Sequence, residues 1–396
     1  MVEEADVSAV VAHVDPDEVV RFASRLVSTP SENPGDTEDA VAAVAAEILE
    51  DLGVTPEIVR GEEERPSVVA RFGGGDRPAL AWNGHLDVVP AGDPSTWRHP
   101  PFGAEVVDGT LVGRGSADMK GGIASAFGAV SAIRRSSVEL AGRLDLHLAA
   151  DEELAGLHGT KVLLERGLLD QDAAIVGEPT ELNVALAERG GAWITATARG
   201  TAAHGSTPQL GVSAITSMAR FLLRIEEVLP DIEHPLVGRP TVNAAMIQGG
   251  SAPNVVADRC VVEIDRRIIP GETEPGMVLE PFESLADAIR TEHPETDLFF
   301  AIRLWTDAAE TTGDPRIADL CRAAVREETG RAPLETGMTG ITDARFYLND
   351  RSIPTIILGP GSLGVAHTAN ESVEIAQLVA AARVYARVFT RFLDGS

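Results

Sequence analysis

The chain has 396 residues, 44% of them hydrophobic, which is enough for two packed lobes with separate cores. Its formal charge of -28 repels nucleic acid and anionic membrane, and there is no apolar run of bilayer length and no basic leader before an apolar stretch. A cytoplasmic protein with neither nucleic acid nor membrane as a partner is expected. Acidic residues are spread along the chain and lysine is almost absent (Lys120 and Lys161), a surface suited to salt-rich cytosol. Cys260 and Cys321 are far apart and belong to no Cys-x-x-Cys pair, so both read as buried thiols.

Apolar spacing predicts a helix over residues 16–27, stopped at Ser28-Thr29-Pro30-Ser31, and a second through Leu52, capped by Asp36 or Thr37 and closed by Gly53. Strands are predicted at Ser67 to Phe72 and Ala79 to Trp82, and a hairpin at Ala104 to Val112 turns on Asp108-Gly109. A helix follows Asp118. A strand from Leu144 to Ala149 ends at Asp151-Glu152-Glu153, a helix spans about His158 to Arg166, and a strand from Ala173 to Val176 ends at Glu178. This alternation argues an α/β layer structure.

From about residue 188 the pattern changes. Strands at Ala192 to Ala198, Thr241 to Ile247, Arg259 to Ile268 and Leu298 to Leu304, with helices at Val212 to Val228 and Pro275 to Thr291, give βαββαβ, the split ferredoxin-like unit. The first pattern then resumes with a helix from Pro315 to Glu328, a strand from Thr355 to Leu358 and a terminal helix from Glu371 to Leu393. Expected domains are 1–187 and 305–396 as two segments of one catalytic domain, with 188–304 inserted.

Most of the chemistry-bearing groups end or follow predicted strands. His85, Asp118 and Glu178 can hold one cation, and Asp118, Glu153 and His367 a second, with Asp118 giving one oxygen to each. Two such ions about 3.5–4 Å apart polarise a carbonyl and lower the pKa of a shared water. Glu152, beside the ligand Glu153, is then free as general acid/base. Neighbours on an extended strand point to opposite faces, so both glutamates serve one site only if the chain turns after Ala150. Asp87, two residues beyond His85, is placed to accept that imidazole's other N–H. Singly these signals are weak: an Asp-Glu-Glu is usually a solvated patch, and His147, between Leu146 and Leu148, reads as structural, like His13, His99, His158, His234 and His293.

Taken together, Gly84-His85-Leu86-Asp87-Val88-Val89-Pro90, the run from Gly113 to Gly122, Asp151-Glu152-Glu153 and Val176-Gly177-Glu178-Pro179-Thr180 closely resemble the di-zinc amidohydrolase and peptidase family of acetylornithine deacetylase, succinyl-diaminopimelate desuccinylase, aminoacylase and related carboxypeptidases. The resemblance implies a zinc-exopeptidase-like catalytic domain, an inserted ferredoxin-like lid that also dimerises, and two divalent ions, zinc first with cobalt or manganese as alternatives. It implies His85, Asp118, Glu153, Glu178 and His367 as ligands, Glu152 as acid/base and Asp87 as the partner of His85. Ala203-His204-Gly205-Ser206-Thr207-Pro208 is similar to the family's lid motif, whose histidine serves the neighbouring subunit's oxyanion. Asn254 and Arg267 match lid positions that touch substrate, with Arg266 as a surface neighbour, and Thr342 and Arg345 lie in a segment similar to a pocket-lining loop. The implied reaction is hydrolysis of an N-acyl amino acid by a homodimer; a dipeptidase or carboxypeptidase is the alternative. A non-catalytic amino-acid binder is a third reading, against which the spare carboxylate of Glu152 argues. Neither a dinucleotide fingerprint nor a serine-hydrolase elbow is present.

Overall fold

The structure, a computed structural model, describes residues 4–312 and 316–394. They form two compact units: residues 4–186, 311–312, 316–338 and 342–394, and residues 187–310 with 339–341.

In the first unit the strands Pro56–Arg60, Pro66–Gly73, Arg143–Ala149, Ala79–His85, Ala173–Val176 and Thr355–Ile357 lie side by side in that order. Ala79–His85 is parallel to both of its neighbours, and Thr355–Ile357 is parallel to Ala173–Val176. Parallel strands require both faces to be covered, and alternation along Ala79–His85 shows the two coats. Leu80 and Trp82 enter a core shared with the helices Pro16–Val27, Asp39–Asp51, Lys120–Ser136, Arg316–Thr329 and Ile375–Phe392. Ala81 turns to the other face, against Leu163, Phe346 and Tyr347. The helix Lys120–Ser136 is buried almost throughout, and its glycines permit the approach: a Cβ at Gly122 would lie 2.6 Å from the carbonyl of Gly177.

Several predicted boundaries change. Neither Asp36 nor Thr37 caps the helix that starts at Asp39; Glu38 precedes it and makes no side-chain cap, because its carboxylate pairs inward with Arg65 and the amide of Asp151. The helix expected from His158 to Arg166 is only Thr160–Glu165. The expected terminal helix from Glu371 begins at Ile375, because Ser372–Glu374 is a strand paired with Thr110–Val112. Pro315 lies outside the described residues. Arg383, Arg387 and Arg391 in the terminal helix pair with Glu327 and Glu328, a scaffold role.

In the second unit the strands Gly190–Arg199, Thr241–Gly249, Arg259–Ile268 and Asp297–Thr306 form an antiparallel sheet, with Gly190–Arg199 between Arg259–Ile268 and Asp297–Thr306 and with Thr241–Gly249 at one edge. With the helices Ala214–Leu222 and Pro275–Glu292 this is the βαββαβ arrangement. Phe221, Phe282 and Phe300 meet in its core at centroid distances of 5.1–5.9 Å. The helix expected to run from Val212 to Val228 stops at Leu222 and continues as the 3-10 turn Ile225–Val228. Arg266 is no surface neighbour: alternation along its strand buries it completely, against Glu272 and the carbonyl of Arg267. Cys260 and Cys321 are both free and buried.

His147 is buried and its Nδ1 lies 2.7 Å from the hydroxyl of Tyr347. Burial pulls its pKa down from 6.5 to about 4. A base depressed on folding stabilises the fold above its unfolded pKa and loses that contribution as pH falls through the folded one. The stability present above pH 6.5 should therefore be lost progressively as pH falls to about 4 and below, by about 3 kcal/mol in all. Denaturant titrations of wild type and His147→Gln across that window check it. The variant should be less acid-sensitive, and identical pH slopes would remove His147 from this role.

Candidate metal centre

Three of the expected groups stand at the carboxyl ends of parallel strands, where open α/β sheets place their ligands. His85 ends Ala79–His85, Glu178 follows Ala173–Val176, and Glu152 and Glu153 follow Arg143–Ala149. Asp118 comes from the glycine-rich loop ahead of the helix Lys120–Ser136. Gly115 in that loop has φ +85, and a Cβ there would meet Val88 at 2.7 Å, so the bend needs glycine. His367 is on a loop, half-exposed, at φ 61.

The turn required after Ala150 is present. Asp151 is left-handed at φ 62, and Glu152–Leu154 is one 3-10 turn. Asp87 holds that turn: its two carboxylate oxygens accept the amides of Glu152 at 3.1 Å and Glu153 at 3.2 Å. This alters the role expected for it. The Nδ1 of His85 lies 2.9 Å from the backbone carbonyl of Asp87 and 3.6 Å from its carboxylate, because the carboxylate is engaged by those amides and by Asn33.

The five ligand candidates come together. His85, Asp118 and Glu178 form one group, and Asp118, Glu153 and His367 another; within each, the donor atoms all lie within 4.8 Å of one another. Nε2 of His85 is 3.0 Å from Asp118 Oδ1 and 3.7 Å from Glu178 Oε1. Nε2 of His367 is 3.3 Å from Asp118 Oδ2 and 3.1 Å from Glu153 Oε2. Donors about 2.0–2.1 Å from a tetrahedral ion are separated by about 3.3 Å, so these spacings suit a zinc-sized cation in each group. Asp118 turns one oxygen to each. Glu152 belongs to neither group, and its Oε2 is 3.9 Å from Nε2 of His85.

The electrostatics point the same way. Burial, together with the neighbouring carboxylates, pushes Glu152 and Glu178 well above the usual carboxylate range and raises Glu153. Asp118 is held low against the cost of burial by hydrogen bonds from both imidazoles. Its hydrogen bonds with Asp118 and Glu153 lift His367 to about 10. Ionised together, the four crowded acids would carry an excess negative charge that two dications would neutralise.

Other expected residues fall elsewhere. His204, Asn254 and Arg267 lie in the second unit. His204 is exposed, its Nδ1 2.7 Å from the Ser206 hydroxyl, and the amide of Gly205 donates to the carbonyl of Asn254. Arg267 pairs with Asp265 at 2.9 Å. In the first unit Thr342 and Arg345 are buried, and the guanidinium of Arg345 donates to the carbonyls of Ala155 and Thr342. Asp343, between them, was not singled out from sequence. It is buried, accepts from the Thr160 hydroxyl at 2.6 Å, and is raised by burial to about 6.

Comparison with known proteins agrees with this geometry. The model of peptidase family M20/M25/M40 matches residues 81–391. The chain belongs to that family. The succinyl-diaminopimelate desuccinylase of Rhodospirillum centenum is 31% identical to this M20 protein over 95% of the chain and 98% of the relative. The N-formyl-4-amino-5-aminomethyl-2-methylpyrimidine deformylase of Halalkalibacterium halodurans is 30% identical over 94% of each. An M20 family metallo-carboxypeptidase from Sulfolobus solfataricus superposes with a TM-score of 0.79 at 17% identity, covering 95% of this chain and 99% of the other, and so shares the fold.

Proposed function

We propose that this M20 protein is a metal-dependent amidohydrolase that removes an acyl group, succinyl first, from an amino or diamino acid. The observation that carries the reading is the pair of donor groups sharing Asp118, with Glu152 beside them and in neither. Zinc fits the mixed imidazole and carboxylate donors, and cobalt or manganese would fit the same geometry. When bound, the two cations would polarise the scissile carbonyl and make water a stronger nucleophile.

The chain's own groups do the rest. Glu152, its side chain 9% exposed and its pKa raised, takes a proton from the attacking water and returns it to the leaving nitrogen. Asp87 holds the amides of Glu152 and Glu153, so the base and one ligand move together. Arg345 braces the same turn through the carbonyl of Ala155. His204 is proposed as an oxyanion donor supplied by a second copy, with Asn254, Arg267 and Thr342 contacting substrate; a guanidinium suits a substrate carboxylate by bidentate pairing. A homodimer through the second unit is supported by its edge strand Thr241–Gly249, where Met246 and Ile247 are 68% and 62% exposed. Two lone buried thiols suit a reducing cytoplasm, and no described helix is long and apolar enough to cross a membrane.

A hydrolysis screen of N-succinyl, N-acetyl and N-formyl amines and dipeptides, with added zinc or cobalt, tests the assignment. An N-succinyl diamino acid should exceed dipeptides in kcat/KM by about 100-fold; preference for dipeptides would make the protein an exopeptidase of the same family. His204→Ala should lower kcat in a dimer that stays assembled, and an unchanged kcat would remove it from the reaction.

A further inference from the structure

Glu371, four residues beyond His367, makes contacts that no helix start would need. It is fully buried, and its Oε1 accepts the amides of Ala117 at 3.0 Å and Asp118 at 3.1 Å. Its Oε2 takes the guanidinium of Arg114, and its backbone carbonyl accepts the amide of Gly113 at 2.9 Å. Arg114 is itself buried and packs over the Trp97 ring at 5.4 Å. One carboxylate therefore ties the loop of the shared ligand to the loop of His367.

The two donor groups depend on this tie unequally. His85 and Glu178 stand at the ends of strands in the main sheet, whose pairings fix them. His367 has a half-exposed side chain on a loop with positive φ, so its reach to Asp118 depends on how that loop is anchored. We propose that Glu371 is a positioning residue that registers His367 against Asp118, so that the cation held by Asp118, Glu153 and His367 depends on it more than the cation held by His85, Asp118 and Glu178. This rests on the two-cation reading above.

The test is a titration of the metal-free full chain with cobalt(II), followed by visible absorption and calorimetry. In Glu371→Gln a single amide oxygen can serve Arg114 or the two backbone amides but not both, and the charged guanidinium takes it. The cation held by Asp118, Glu153 and His367 should then lose at least about tenfold in affinity, while the other stays within about threefold. Adding Arg114→Met frees the Gln oxygen for the amides of Ala117 and Asp118, and should bring the second affinity back to within about threefold of wild type. A purely structural role for Glu371 would weaken both ions alike and would not be rescued by removing Arg114.

Wild-type titration by Glu371→Gln, equal loss of both ions, or failure of Arg114→Met to restore binding would each overturn the proposal. Should Glu371→Gln not fold, amide exchange on the unaltered metal-free chain decides: Ala117 and Asp118 should be as protected as the strand Ala79–His85, and exchange at open-loop rates would overturn it. A wild type that binds no pair of cations would sink the two-cation reading and this inference with it. A pair bound equally well with and without Glu371 would sink this inference alone.

Discussion

Glu152→Gln is expected to keep both cations and lose about 10²–10⁴-fold in kcat, the range for removing a positioned general acid/base. The substitution keeps the shape of the side chain and the backbone amide that Asp87 holds at 3.1 Å, so the turn bearing Glu153 should not move. Because Glu152 is in neither donor group, metal content should stay at the wild-type value. Metal analysis beside steady-state rates separates the possibilities. Full activity would take Glu152 out of the reaction, and loss of metal together with activity would make it a ligand.

Asp118→Ala should have the opposite signature. Its two oxygens are 3.0 Å and 3.3 Å from the two imidazoles, so removing it takes a donor from both groups at once. Metal retained after dialysis should fall toward zero, and turnover should fall by more than the roughly 100-fold that loss of a supporting residue costs. His367→Ala removes a donor from one group only and should leave one ion in place. Equal metal content in the two variants would mean that Asp118 is not shared.

Much of this arrangement was legible in the sequence because local pattern and strand ends carry it. The strand Ala173–Val176 and the hairpin turning at Asp108-Gly109 follow from apolar runs bounded by turn residues, and the place of Glu178 beyond that strand follows from the sheet. The turn after Ala150 could be stated as a condition for two adjacent glutamates to share a site, and it is met. What escaped was nonlocal. Ser372–Glu374 looks like the first turn of a helix until Thr110–Val112 is found beside it. The strand Pro56–Arg60 has only one buried residue and gives little alternation. The motif match sets Arg267 apart from Arg266 but leaves Arg266 on the surface, and the strand's register buries it instead. Asp87, Glu371 and Arg345 all act on backbone amides or carbonyls, partners that leave no signature in residue type.

The most direct test of the account is a crystal structure of the zinc- or cobalt-loaded protein with anomalous diffraction collected at the metal edge. Two peaks are expected, about 3.5–4 Å apart, one beside His85 and Glu178, the other beside Glu153 and His367, with an Asp118 oxygen on each. A single peak, or two that do not share Asp118, would contradict it.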